Sequence, residues 1–262
     1  MTALISLRSL SKRYPGVTAL DDLSLDLEPG IIGLVGSNGA GKSTLLKILL
    51  GLVEATAGRA EIFGLDVAGH GVSARRQIGY MPEHDCLPLD VSATDFVGHM
   101  AAMNGLPRAA ARERTAETLR HVGLFEERYR EMGGYSTGMK QRVKLAQALV
   151  HDPRLMLLDE PTNGLDPEGR DEMLDLVYRT GNEFGIAIMM SSHLLGEIER
   201  VCDHLVVIDG GRLVRADSIA TFTAKTQSLI VEVDGEVDPL AKRLTALGHT
   251  VRAVGGGHQL LV

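Results

Sequence analysis

Short apolar runs punctuated by turn residues set the pattern of this chain. Leu23, Leu25 and Leu27 alternate with Ser24 and Asp26, the period-2 spacing of a strand with one buried face. A second strand-like stretch shares residues 3–27, and Glu28-Pro29-Gly30 turns the chain into an unbroken apolar run, Ile31 to Val35. Arg59 to Phe63 and Ile78 to Met81 read as further strands, the latter stopped by Pro82. From Ser92 to about Leu149 the character changes to Ala, Arg, Glu and Met at helical spacing. There Pro107 suits a first turn, and Leu119, Val122 and Phe125 recur at i, i+3, i+6. Three apolar runs follow, Leu155–Leu158, Ile186–Met190 and Leu205–Ile208, with helical patterns around 167–180 and 194–202 between them. Strands without alternation, interleaved with helices, imply a parallel sheet covered on both faces.

The last segment, about 217–262, has a pattern of its own. Leu229 to Val233 predicts a strand. Asp238-Pro239 makes an N-cap and first-turn pair, and Leu240 to Leu247 predicts a helix closed by Gly248. Val251–Val254 and Gln259–Val262 flank Gly255-Gly256-Gly257 as a hairpin, giving the order β-α-β-β. No internal repeat, low-complexity tract or coiled-coil heptad interrupts these patterns.

Composition changes the picture in three ways. With 262 residues the chain can bury a large core, as one domain or one domain with an appendage. Its 34 acidic residues against 27 Lys and Arg, net −7, speak against a protein that coats nucleic acid. Cys86 and Cys202 have no metal or C-x-x-C spacing, so two buried, reduced thiols in a cytoplasmic protein are expected. The longest candidate for a span, Leu45 to Val53, is too short and contains Lys47 and Gly51, and the N-terminus lacks the basic region of a signal peptide. Work at a membrane would therefore need another chain to do the spanning.

The chemistry centres on Gly36-Ser37-Asn38-Gly39-Ala40-Gly41-Lys42-Ser43-Thr44, which fits G-x-x-x-x-G-K-[ST] at every fixed position between a predicted strand and a predicted helix. Glycines leave backbone N–H groups unobstructed for a phosphate chain, and the helix start adds its own. Lys42 can then reach the β- and γ-phosphates and the Ser43 hydroxyl can ligand Mg²⁺. A plain glycine-rich turn needs no Lys-Ser pair. Further on, four hydrophobic residues end in Asp159-Glu160, carboxylates at the carboxyl end of a strand facing the same crevice. Asp159 suits Mg²⁺ opposite Ser43, through water, and Glu160 suits orienting or deprotonating a water. Tyr14, beside the turn Pro15-Gly16, either packs as an ordinary tyrosine or stacks on a base.

Together with Leu158-Asp159-Glu160-Pro161-Thr162-Asn163-Gly164-Leu165-Asp166-Pro167, Tyr135-Ser136-Thr137-Gly138-Met139-Lys140-Gln141-Arg142 and Ser191-Ser192-His193, these motifs resemble the ATP-binding subunit of ATP-binding cassette (ABC) transporters over nearly all of residues 3–216. The resemblance implies an α/β P-loop NTPase fold: a mostly parallel core sheet, an antiparallel β subdomain and a helical insertion at about 84–148, forming an ATPase domain at 1–216. It implies that Tyr14 stacks on adenine, and that Ser136 and Gly138 bind the γ-phosphate of ATP held by a second ATPase subunit, identical or different. It also implies that Asp166 links the two sites across the dimer, and that His193 contacts the γ-phosphate. Glu83 stands where the family usually has a glutamine that senses Mg²⁺, water and a separate transmembrane permease subunit; an ionised carboxylate can still accept or approach Mg²⁺ but donates nothing. Thr137 and Met139 replace the usual glycine and glutamine of the signature loop. The 217–262 extension resembles that of prokaryotic exporter ATPases, either as an edge cover for the sheet or as a dimer-stabilising unit.

The implied cofactors are ATP and Mg²⁺, and the implied place is the cytoplasmic face of the cell membrane, peripherally bound, with no nucleic acid. Soluble ATPases of the same superfamily that act on nucleic acid or ribosomes carry two cassettes or a long inserted coiled coil, and neither is in this sequence. A nucleotide switch without hydrolysis would lack Glu160 or His193; both are present.

Overall fold

The computed structural model describes residues 3–84, 86–223, 230–232, 238–247, 252–254 and 259–261. The chain runs through β1 (Ile5–Tyr14), β2 (Val17–Leu27), β3 (Ile31–Val35), α1 (Lys42–Leu49), β4 (Ala57–Ile62), β5 (Leu65–Asp66), α2 (Val67–Arg75), β6 (Ile78–Met81), α3 (Ala93–Met103) and α4 (Arg108–His121). A short 3-10 turn at Met132–Gly134 leads into α5 (Thr137–Leu149), β7 (Leu155–Asp159), α6 (Pro167–Phe184), β8 (Ala187–Ser192), α7 (Leu195–Val201), β9 (His204–Asp209), β10 (Arg212–Ser218) and α8 (Ile219–Thr223).

Two sheets organise these elements. The amphipathic strands β1 and β2 pair antiparallel, Ile5 opposite Leu27 and Tyr14 opposite Val17, and join β4 and β5 in the order β2-β1-β4-β5. The apolar strands form a six-stranded sheet, β10-β9-β3-β8-β7-β6, parallel from β9 to β6 with β10 antiparallel at its edge. Leu45, Leu46 and Leu49 of α1 belong to one buried cluster with Leu7 and Leu10 of β1 and Ile32, Leu34, Leu157 and Val206 of the large sheet. Each such leucine removed from water contributes about 1.5–3 kcal/mol, so α1 and the loop before it rest on a rigid base. The antiparallel β10 and the β5–α2 pair, kinked at His70, add elements that periodicity left unread.

The helical insertion consists of α3, α4 and α5. The i, i+3, i+6 pattern through Phe125 overruns α4: Val122 caps the helix, Gly123 takes a left-handed φ of +74°, and Phe125 lies beyond it under the guanidinium groups of Arg120 and Arg128. Pro107 is the residue before the first helical turn. Helix α5 buries polar as well as apolar residues. Gln141, Lys144 and Gln147, at i, i+3, i+6, donate to Asn163 O (2.9 Å), Glu83 O (2.8 Å) and Cys86 Sγ (3.8 Å). Of the two cysteines, Cys202 is buried under the sheet while Cys86 is exposed in the loop after β6, so the expectation of two buried thiols holds for one. Burial pushes the Cys202 thiol well above the ordinary range.

Residues 220–262 form a second unit. It contains β11 (Ile230–Glu232), α9 (Asp238–Ala246), β12 (Arg252–Val254) and β13 (Gln259–Leu261). The strands make an antiparallel sheet in the order β11-β13-β12, with Leu261 opposite both Ile230 and Arg252. The order β-α-β-β is the one periodicity predicts, whereas the expected Gly248 stop and the Gly255–Gly257 turn lie outside the described residues.

Candidate nucleotide-binding and catalytic site

Strands β3, β8 and β7 are neighbours in the large sheet, and the chemistry-bearing residues sit where they end. Residues 36–41 leave β3 and lead into α1, whose first residue is Lys42. Two glycines in that loop are sterically required. A Cβ on Gly36 would stand 2.4 Å from Ile208 O, and one on Gly41, at φ +105°, 2.4 Å from Ala19 O. So held, the loop folds back under Lys42, whose buried Nζ donates to Gly36 O at 2.8 Å and stands 3.3 Å from Glu160 Oε1. An open cleft of about 410 Å³ lies over it, lined by Ala19, Ser37, Asn38, Gly39, Ala40, Gly41, Lys42, Ser43, Thr44, Glu83, Glu160, Asn163 and His193.

The carboxylates come from the end of β7. Asp159, 3% exposed, accepts from Ser43 Oγ at 3.2 Å and from Ser191 Oγ at 2.7 Å. Ser191 in turn accepts from the Glu160 N–H at 2.9 Å, so one hydroxyl at the end of β8 fastens both acidic residues. Glu160 has a φ of +48°, a left-handed conformation costing a side-chain-bearing residue on the order of 1–3 kcal/mol, and it is held there by these neighbours. Its Oε2 meets His193 Nδ1 at 2.9 Å, which leaves the carboxylate between a lysine and an imidazole. Glu83 Oε1 accepts from Asn163 Nδ2 at 3.3 Å. Nearby on β6, burial first and then the charge of Asp159 push the Tyr80 phenol up to about 12, so it stays protonated beside the site.

Among the described residues no cluster of three or more His, Cys, Asp and Glu is arranged to hold a metal by protein ligands alone. The adjacent oxygens of Ser43 and Asp159 suit a different arrangement, a hard divalent cation that keeps most of its coordination for water and phosphate, as Mg²⁺ does.

Ser136, Gly138 and Asp166 lie elsewhere. They line a separate shallow depression with Thr137, Gly164 and Glu172. Ser136 caps α5 through Met139 N (3.3 Å) and Asp166 caps α6 through Gly169 N (2.9 Å). Thr137 occupies the position of the usual glycine and packs against Gly164, where an added Cβ would meet its Cγ2 at 3.4 Å. Tyr14, at the end of β1, is 40% exposed with Lys12 Nζ 5.0 Å from its ring, and it is not among the residues lining the Lys42 cleft. Sequence reasoning missed Ala19, Asn163 and Ser191 as parts of the site. Asn163 and Ser191 lie inside the motifs themselves, whereas Ala19 contributes backbone, for which a sequence carries no signal.

The sequence matches the family described as ABC transporter over residues 20–163. It is 39% identical to the bacitracin transport ATP-binding protein BcrA of Bacillus licheniformis over 82% of this chain and 69% of that one. It is 34% identical to the Nod factor export ATP-binding protein I of Ralstonia nicotianae, covering 100% of this chain and 84% of the relative. Among solved structures, cbiO1 of Clostridium perfringens, part of the ABC transporter complex cbiONQ, superposes with a TM-score of 0.77 at 25% identity, covering 95% of this chain and 98% of that one. A phosphate-binding loop, paired acidic residues and a histidine at the ends of adjacent parallel strands, in a chain so matched over most of its length, have one reading: the protein belongs to the ABC transporter family and is its ATP-binding, ATP-hydrolysing subunit.

Proposed function

We propose that the Lys42 cleft holds ATP and hydrolyses it only when a second ATPase subunit brings its own Ser136 depression over the γ-phosphate. The observation that supports this is the separation itself: Lys42, Ser43, Asp159, Glu160 and His193 are gathered in one network, while Ser136, Gly138 and Asp166 lie together in another place on the same chain. In this reading the backbone N–H groups of residues 36–44 and the N-terminus of α1 cradle the phosphates, and Lys42 moves its charge from Glu160 and Gly36 O to the β- and γ-oxygens. Tyr14 stacks on adenine. Ser43, Asp159 and Glu83 would hold Mg²⁺, which when bound would neutralise charge developing on the phosphate oxygens. Glu160 orients the attacking water and takes its proton, and His193 fixes the Glu160 carboxylate and donates to the γ-phosphate. Ser136 and Gly138 of the second subunit close over the γ-phosphate, and Asp166 connects the two sites.

Loss of the γ-phosphate then removes the bridge and lets the pair open, the motion that drives a separate membrane permease. No described helix is long and apolar enough to cross a membrane, and likeness to ATP-binding subunits of transporters supports a peripheral place on the cytoplasmic face beside such a partner. The name of the Nod factor export relative and the exporter-like extension support export as the direction, with residues 1–216 as the ATPase domain and 217–262 as its appendage. The test is the dependence of ATPase rate on protein concentration. A split site predicts a rate that rises faster than linearly between nanomolar and micromolar protein. A strictly linear rate from a protein shown to be monomeric throughout would contradict it.

A further inference from the structure

Glu197 is an acidic residue no motif points to, yet it is only 7% exposed and lies on the short α7 that follows His193. Its Oε2 accepts two hydroxyl protons, from Ser192 Oγ at 2.7 Å and from Thr162 Oγ1 at 2.9 Å. These donors come from two different turns. Thr162 belongs to the turn that leaves Glu160, closed by Asn163 N to Glu160 O at 3.0 Å and by Leu165 N to Thr162 O at 3.2 Å. Ser192 immediately precedes His193 and also accepts from Leu194 N at 3.0 Å, so the backbone is fastened on both sides of the histidine. Glu197 Oε1 is buried and takes no bond among the described residues, so a single oxygen carries the clamp.

From this geometry we infer that Glu197 is a positioning residue for ATP hydrolysis: it ties the turn bearing Glu160 to the turn bearing His193 and so sets the 2.9 Å contact between their side chains. The inference rests on the roles proposed above for Glu160 and His193. The need for such a tie follows from the site. Glu160 is strained at φ +48°, His193 is half exposed, and Ser191 fastens only the backbone of Glu160. Without Glu197, nothing described crosses from Thr162 to Ser192, and the carboxylate and imidazole are free to drift apart by fractions of an ångström. Misplacement on that scale is costly to a reaction that depends on orientation.

The conservative and disruptive variants separate positioning from folding. Glu197→Gln keeps a carbonyl oxygen for both hydroxyls and puts its amide where Oε1 meets nothing, so it should retain half or more of kcat. Glu197→Ala should lower kcat by roughly 10–100-fold while the KM for ATP stays within about twofold, since residues 36–44, which cradle the phosphates, stay in place and only the His193 contact to the γ-phosphate shifts. Thr162→Val and Ser192→Ala should each fall between, and adding either to Glu197→Ala should cost little more, the non-additivity of one shared device. If Glu197→Ala melts below the assay temperature, the two hydroxyl variants carry the test. Unchanged kcat in all three folded variants, equal loss in Gln and Ala, or a rise in KM matching the loss would overturn the inference. His193→Ala and Glu160→Gln run alongside distinguish the two levels: if they are also fully active, the reading of the hydrolytic site fails, and not the clamp alone.

Discussion

The cleft around Lys42 and the depression around Ser136 belong to one chain, and their polar groups are arranged in opposite ways. In the cleft, Lys42, Asp159 and Glu160 are each under a tenth exposed; Lys42 stands against Glu160, Ser191 joins Glu160 to Asp159, and Ser43 and His193 each add a bond to one of the two carboxylates. In the depression, Ser136 and Asp166 are exposed, and their side-chain oxygens are committed to capping α5 and α6. Buried charges of this kind must be placed in advance, because an unpaired one costs about 3–5 kcal/mol. An exposed rim of caps and small residues carries no such network and can meet a ligand only as a surface. In the proposed reading this is a division of labour: the cleft does the chemistry and the depression meets the γ-phosphate held by a second subunit. They are not independent, since Gln141 and Lys144 bolt the helix that begins at Ser136 to the Asn163 and Glu83 rim of its own cleft.

The sharpest way to break this comparison is to disable each region in a different copy. Lys42→Ala strips the cleft of its cation and Ser136→Arg blocks the depression; each alone should lower ATPase activity by at least roughly 10²-fold, the usual cost of losing a transition-state contact. Mixed, they form pairs in which one site keeps both an intact cleft and an intact depression. Random pairing should restore roughly a quarter of the parent rate. No recovery from a mixture shown to pair would mean that cleft and depression act within one chain.

A smaller effect sharpens the outer limit of the cleft. Tyr14 lies beyond its lining, and in the proposed reading its ring, stacked on adenine, extends the site past the phosphate region. Tyr14→Ala should weaken ATP binding by about 1–3 kcal/mol and Tyr14→Phe should change it little, measured by titration calorimetry. Equal losses would assign the contact to the hydroxyl.

The smallest effect distinguishes the two regions by pH. His121, at the end of α4, meets Thr180 Oγ1 at 2.9 Å, and His151, just after α5, meets Ile78 O at 3.2 Å; burial lowers the proton affinity of both. Below about pH 6.5 the unfolded chain binds protons that the folded one resists, so their stabilising effect is complete above that pH and is lost as pH falls. Hydrogen-exchange protection factors, corrected for the slower intrinsic exchange in acid, should therefore fall first in α4 and α5 between pH 7.5 and 5.5, ahead of α1 and β3. A uniform fall in protection would show that the histidines do not single out the helical side.

Much of the site is legible in the amino-acid sequence alone. The phosphate loop, Asp159-Glu160 and His193 are local in sequence, and their strands announce themselves as apolar runs. What periodicity does not reach depends on contacts across the chain. β10 and β5 are too polar or too short to read as strands, and α4 stops at Gly123 although the apolar spacing continues to Phe125. The buried Gln141-Lys144-Gln147 row looks like a solvated helix face until the loops it bonds are seen. Glu197 is the extreme case, an acidic residue whose meaning comes from Thr162, thirty-five positions away in sequence.

The central claim, that two chains share each site, is tested most directly by Glu160→Gln. The amide keeps the size and an acceptor but cannot take a proton from water, so turnover should fall by at least roughly two orders of magnitude while ATP still binds. With the γ-phosphate left in place the closed pair should accumulate. Size-exclusion chromatography with ATP and Mg²⁺ is predicted to show a dimer for Glu160→Gln and mostly monomer for the parent. A Glu160→Gln protein that stays monomeric with ATP demonstrably bound would contradict a site shared between two copies of this chain.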